Sequence, residues 1–222
     1  MANFTPPAVF FESDVITRSV WVVVDPRDAV TGGRVPVPLE VRLKDVAAEP
    51  IAAYSGIYCF TDLKLAAGNY TVQVSSAKSD PGRYFDVERQ FTLATIPPAT
   101  DPLKRNLVEV TLLPRTSYPF DGQTTLVRSR LVKTSDRSPI ANAQISLTLD
   151  SVDKGLWQQT DERGEFVIFF PRAAPEDNSS AGLKDFKFKL HFDIPGHSFT
   201  TIEQTVKEGT TKSLEALEFP GT

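Results

Sequence analysis

The feature that most limits the folds open to this chain is side-chain alternation with a period of two. Residues 185–192 read DFKFKLHF, with Phe186, Phe188, Leu190 and Phe192 on one side of an extended chain and Lys187, Lys189 and His191 on the other. A helix would scatter those four apolar side chains around its circumference; a strand gathers them on one face. Residues 39–43 (LEVRL) and 143–149 (AQISLTL) alternate in the same way. Runs rich in β-branched, aromatic and other apolar residues mark further strands at residues 19–24 (SVWVVV), 57–61 (IYCFT), 70–74 (YTVQV), 89–93 (RQFTL), 107–113 (LVEVTLL), 126–132 (LVRSRLV) and 165–170 (EFVIFF). Residues 198–206 and 213–219 carry a weaker strand signal, and residues 212–216 equally suit one helical turn. Seventeen prolines and twelve glycines are spread between these runs. Turn-rich sequence therefore recurs every ~8–12 residues, the spacing of an all-β sandwich or barrel.

The scheme occurs twice. Each half has a strand, a polar turn, a proline step and an alternating strand, followed by a glycine-led hairpin feeding an aromatic strand. The hairpin is SGIYCF (55–60) in the first half and DERGEF (161–166) in the second, and the period of about 105–110 residues is that of a duplicated domain. Pro114 and Pro119, in the stretch PRTSYPF (114–120), restrict the backbone to extended forms and suit a short link. The expected organisation is two domains, residues 1–115 and 116–222, at a limited range of relative angles. Gly56, Gly68 and Gly164 are expected at tight turns of positive φ. Tyr58, Phe60, Tyr70, Phe166 and Phe169 are expected in the cores, and Cys59 as a small buried hydrophobe.

In the first half, residues 55–60 (SGIYCF) and 65–72 (LAAGNYTV) carry a pattern that recurs in the second as residues 138–147 (SPIANAQISL) and 160–166 (TDERGEF). It resembles that of carboxypeptidase regulatory-like, transthyretin-like and CnaB-like sandwiches. The resemblance covers most of both halves. It implies an all-β fold of two tandem Ig-like, transthyretin-like antiparallel β-sandwiches, used as spacers, adhesive units or attachment domains. Some such domains join a first-strand lysine to an Asn or Asp through an isopeptide bond. Here the matching positions are Val22–Val24 and Leu131, with Lys44 and Lys133 at strand ends, so no crosslink is expected.

The segment from His191 to Thr201 (HFDIPGHSFTT) also resembles part of the intradiol ring-cleaving dioxygenases, which share the sandwich core and hold ferric iron with two Tyr and two His. The place of one of those histidines is taken by Lys189, and Tyr118 is the last tyrosine of the chain. An iron site needs several converging ligands, so His191 and His197 suit a solvated strand and a turn. The sequence has no HExxH, CxxC, GxSxG or glycine-rich phosphate loop. No catalytic residue, metal or cofactor is assigned. Mixed charges summing to −4, with no basic run, disfavour nucleic acid. No stretch approaches ~20 apolar residues, so no membrane span is expected. The single cysteine and the lack of a signal-like N-terminus suit a cytoplasmic protein.

What remains is contact with partners. Residues 4–11 (FTPPAVFF) form an apolar, proline-stiffened arm before the first strand, with Phe4, Phe10 and Phe11 as candidate contacts. Such an arm suits either a sheet edge of its own domain or strand addition to a partner. The polar stretch 172–182 (RAAPEDNSSAG) reads as a solvated connector. Trp157, beside Gly155 and Gln158, is expected at the surface, and with the strand residue Trp21 it is the candidate platform if the protein binds carbohydrate. The leading expectation is a non-catalytic structural or protein–protein interaction protein of a larger bacterial assembly. Its layout resembles accessory proteins of phage-tail-like contractile injection systems. The partners this implies are proteins, among them a second copy of the chain. A carbohydrate- or ligand-binding module and a degenerate relative of the intradiol core are the alternatives.

Overall fold

The structure is a computed structural model of the 222-residue chain and describes residues 20–53, 55–61, 63, 65–77, 82–93, 106–170 and 183–219. Every regular element among the described residues is a strand.

Among the described residues, seven strands build the first sandwich: β1 (Val20–Asp28), β2 (Leu39–Leu43), β3 (Ile51–Ala52), β4 (Tyr58–Thr61), β5 (Gly68–Ser76), β6 (Val87–Leu93) and β7 (Leu107–Leu112). They form two sheets, ordered β3-β4-β1-β7 and β2-β5-β6. Alternation does the sorting. Val22 and Val24 of β1, Phe60 of β4, and Val108, Val110 and Leu112 of β7 point inward from one sheet. Leu39, Val41 and Leu43 of β2 and Val72 and Val74 of β5 meet them from the other. Each such side chain, fully buried, contributes about 1.5–3 kcal/mol.

The second sandwich repeats this with β8 (Thr125–Lys133), β9 (Gln144–Leu149), β10 (Val152–Gln159), β11 (Glu165–Phe170), β12 (Asp185–Ile194), β13 (His197–Thr200), β14 (Gln204–Lys207), β15 (Thr211–Ser213) and β16 (Leu217–Phe219). One sheet runs β10-β9-β12-β13 with β14 also on β12; the other centres on β8, flanked by β11, β15 and β16. Phe186, Phe188, Leu190 and Phe192 all enter the core, opposite Phe166, Ile168 and Phe170. Pairing is antiparallel except where the first strand of each sandwich meets its last: β1 with β7, and β8 with β15 and β16, are parallel.

Several expectations change. Gly56 and Gly164 adopt φ of 74° and 71°, whereas Gly68 opens β5 without positive φ. Around Gly164 an added Cβ would lie 2.5 Å from the Leu131 carbonyl oxygen, so only glycine fits this hairpin. Tyr70 is only half-buried, its hydroxyl donating to the Ala66 carbonyl. Cys59 points out of the sandwich and is half-buried, because its neighbours Tyr58 and Phe60 take the inward positions of β4. The stretch 198–206 falls in two strands joined by residues 201–203, and 213–219 runs from the end of β15 to β16 with no helical turn between them. Strand β10 was not legible, because Gly155 sits in a bulged, exposed edge at φ 70°.

Candidate interaction site

Strand β11 is buried on both faces. Phe166, Ile168 and Phe170 fill the second core, while Val167 and Phe169 point the other way and are equally buried. This accounts for the unbroken apolar run EFVIFF: alternation fails where a strand has no solvated side. Phe169 therefore belongs not to the sandwich core but to a separate cluster with Val167 and Leu126, against which Ala29, Val30, Phe120 and Trp157 pack. Ala29 and Val30 come from the first sandwich and Phe120 from the connecting segment, so this cluster is a joint.

Aromatic rings line it in series. Tyr84 lies 5.5 Å from Tyr118, Tyr118 4.7 Å from Phe120, Phe120 6.4 Å from Phe169, and Phe169 5.3 Å from Trp157, centre to centre. The Arg128 guanidinium lies 5.7 Å from the centre of the Phe120 ring, and its Nη1 donates to the Thr116 carbonyl at 2.9 Å.

Polar groups fix the connecting segment to both sides. Toward the first sandwich, the Tyr118 hydroxyl donates to Asp28 Oδ2 at 2.5 Å, and the buried Tyr84 hydroxyl donates to the same oxygen at 3.0 Å. Asp28 Oδ1 accepts the Val30 amide at 2.7 Å. Burial, the hydrogen bond to Asp28 and its charge push the Tyr118 phenol up to about 12. Tyr84 is also pushed up, by burial first and then by the charge of Asp28. Arg115 donates from Nε to the Tyr84 carbonyl at 3.2 Å and lies over the Phe85 ring.

Toward the second sandwich, Arg115 Nη1 reaches both oxygens of Glu162, at 3.1 and 3.0 Å. The Glu162 carboxyl is held below its usual range, first by its own backbone amide and then by Arg115. The Thr116 hydroxyl donates to Asp161 Oδ2 at 3.3 Å. Buried Gln158 donates from Nε2 to the carbonyls of Pro114 and Val167, at 2.8 and 3.2 Å. Asp161 also caps the Gly164 hairpin, its Oδ1 accepting the Arg163 and Glu165 amides. The loop that makes the hairpin thus also grips the connecting segment.

Trp157 is corrected from surface platform to part of this joint. It is half-buried, and its indole N–H donates to the Phe169 carbonyl at 3.0 Å, because β10 crosses beside the outer face of β11. Trp21 is half-buried against the first core. Phe4, Phe10 and Phe11 lie outside the described residues, as does the stretch 172–182. His191 contacts Thr148 and Thr200 through its two ring nitrogens, at 2.9 and 2.8 Å, and His197 lies edge-on to Phe219. Among the described residues no group of three or more His, Cys, Asp or Glu side chains is placed to hold a metal ion. No helix among them is long and apolar enough to cross a membrane. The isopeptide positions are all aliphatic: Val22, Val24 and Leu131 are fully buried, and Val23 is half-buried on the outer face of β1. A cleft of about 670 Å³ opens beside the joint between Thr31, Tyr118, Gln123 and Phe170.

No protein-family model and no curated protein matches the chain. Among solved structures it is similar to the TIE protein of Bacillus anthracis, at 16% identity and a TM-score of 0.30, over 89% of this chain and 34% of that one. It is similar to the major pilin subunit BcpA of Bacillus cereus, at 12% identity and a TM-score of 0.30, over 92% of this chain and 60% of that one. The shaft pilin SpaA of Lactobacillus rhamnosus GG gives 9% identity and a TM-score of 0.28, over 93% and 99%. This chain spans about a third of the TIE protein and under two thirds of BcpA.

Proposed function

We propose that the protein is a non-catalytic structural and interaction protein that holds two β-sandwiches in one fixed arrangement and presents their surfaces to protein partners. The observation that carries this reading is the joint: a buried apolar cluster sealed by contacts of the connecting segment to both sandwiches. A linker meant only to tether would leave such groups solvated. Here side chains from three separate segments are held at one place, and what they accomplish is positional. The finer proposal is an accessory component of a larger bacterial assembly, such as a phage-tail-like contractile particle, put together in the cytoplasm. The tandem sandwiches and the layout of the two halves are what support it. Purification of the tagged protein from its native host tests it: co-purification with particle proteins is expected, and a protein that runs alone would end the assembly reading. The carbohydrate alternative loses its main candidate contact, since the Trp157 indole is committed to Phe169.

A further inference from the structure

The two sheets of the first sandwich differ on their outer faces. That of β2-β5-β6 is polar: Glu40, Arg42, Gln73, Glu88 and Thr92 face outward, with Gln73 donating to Glu88, Lys44 paired with Glu88 and Thr92 bonded to Asn69. That of β3-β4-β1-β7 is not. Ile51 pairs with Cys59, Cys59 with Val23, and Val23 with Leu107, so four apolar side chains form one row across all four strands. Ile51 and Leu107 are 45% and 44% exposed. The row ends at Asp25 and Glu109, where Arg27 and Arg34 close over the buried Asp25 carboxylate. A sheet whose outer face met water here would alternate to polar residues, as its partner sheet does.

The second sandwich shows how such a face is covered. Its equivalent sheet, with β11 on β8, also carries apolar outward residues: Leu126, Val167 and Phe169. They are covered in part by the segment that runs directly into the first strand of that sandwich, through Phe120. The first sandwich has a segment in the same place in its own repeat: the nineteen residues before β1, containing Phe4, Phe10 and Phe11. Reach is sufficient. The link from Phe11 to Val20 extends to roughly 30 Å, and the row is only about 14 Å wide. Attachment to β1 also gives the segment a high effective concentration at this face.

We propose that the N-terminal segment of the same chain, residues 4–11, docks across the outer face of the β3-β4-β1-β7 sheet, with its phenylalanines on Ile51, Cys59, Val23 and Leu107. The segment is then a built-in cover, the counterpart of the connecting segment in the second sandwich. Displacing it would bare an apolar strip on the outside of the first sandwich.

Cys59, the only cysteine, sits within the row and reports on it directly. The test is the rate of Cys59 modification by a water-soluble aromatic disulfide, at fixed alkaline pH and over a range of protein concentrations. It compares the full chain with the Phe10→Asp/Phe11→Asp and Phe10→Leu/Phe11→Leu double variants. The Asp variant is expected to react at least about tenfold faster than the parent chain, as for a closed state favoured by one order of magnitude. The Leu variant should stay within a few-fold of the parent, and the parent's rate should not depend on concentration. Equal rates for the parent and the Asp variant would overturn the proposal. So would protection that grows with protein concentration, which would assign the cover to a second copy.

Discussion

Strands β4 and β11 occupy the same place in the two sandwiches, each beside the first strand of its own unit, yet one is half open and the other closed on both sides. In β11 the outward Val167 and Phe169 are sealed by the joint. In β4 the outward Cys59 stays half-buried within an apolar row. The inward sides behave alike, with Phe60 and Phe166 both buried. The duplicated core thus sets what each strand turns inward, while the connecting segment before the second sandwich helps close the outer face of β11.

Truncation should separate the two strands most strongly. Phe169→Ala removes a buried ring from the joint and is expected to cost about 3 kcal/mol, read from urea unfolding. Cys59→Ala should cost less than about 1 kcal/mol. Similar losses at both positions would break the distinction. The hairpins leading into the strands should differ next. Gly164→Ala is expected to cost at least about 2 kcal/mol, since positive φ and the Leu131 carbonyl both oppose a Cβ. At Gly56 the nearest atom to an added Cβ is 3.8 Å away, so Gly56→Ala should cost about 1 kcal/mol, from backbone strain alone.

Smaller effects probe the polar seal. Tyr118→Phe removes one hydrogen bond to Asp28 and should cost about 1 kcal/mol near neutral pH. Its pH dependence has a defined sign. The phenol is raised from about 10 to about 12 on folding, so the native state holds this proton more tightly than the unfolded chain. That contribution is complete below pH 10 and is lost as pH rises toward 12. Unfolding midpoints across this window should fall less steeply in Tyr118→Phe than in the parent; parallel curves would remove Tyr118 from the seal. Glu162→Gln, at an exposed carboxylate, should change stability by less than about 1 kcal/mol, because water screens its pairing with Arg115.

The strands that build the cores were legible because alternation is local. Residues 39–43 and 165–170 are strands over the expected spans, and DFKFKLHF places its four apolar side chains inward as its pattern implies. The joint was only partly legible. PRTSYPF marked a short connection, but nothing nearby in sequence ties Gln158 to Pro114, Glu162 to Arg115 or Asp28 to Tyr118, which are 44, 47 and 90 residues apart. Trp157 was misplaced for the same reason. Its neighbours Gly155 and Gln158 suggest surface, and the ring it packs on, Phe169, belongs to another strand. The two-residue strand β3 and the bulged β10 were missed because neither is long or regular enough to show a period.

The fixed joint is tested most directly by the distance between spin labels placed one on each sandwich, at Arg42→Cys and Lys187→Cys in a Cys59→Ala background. Both positions are exposed and away from the connecting segment. One narrow distance peak is expected, broadening when Phe120→Ala is added. A broad or multiple distribution in the chain with Phe120 intact would contradict a fixed arrangement and leave the two sandwiches as loosely tethered units.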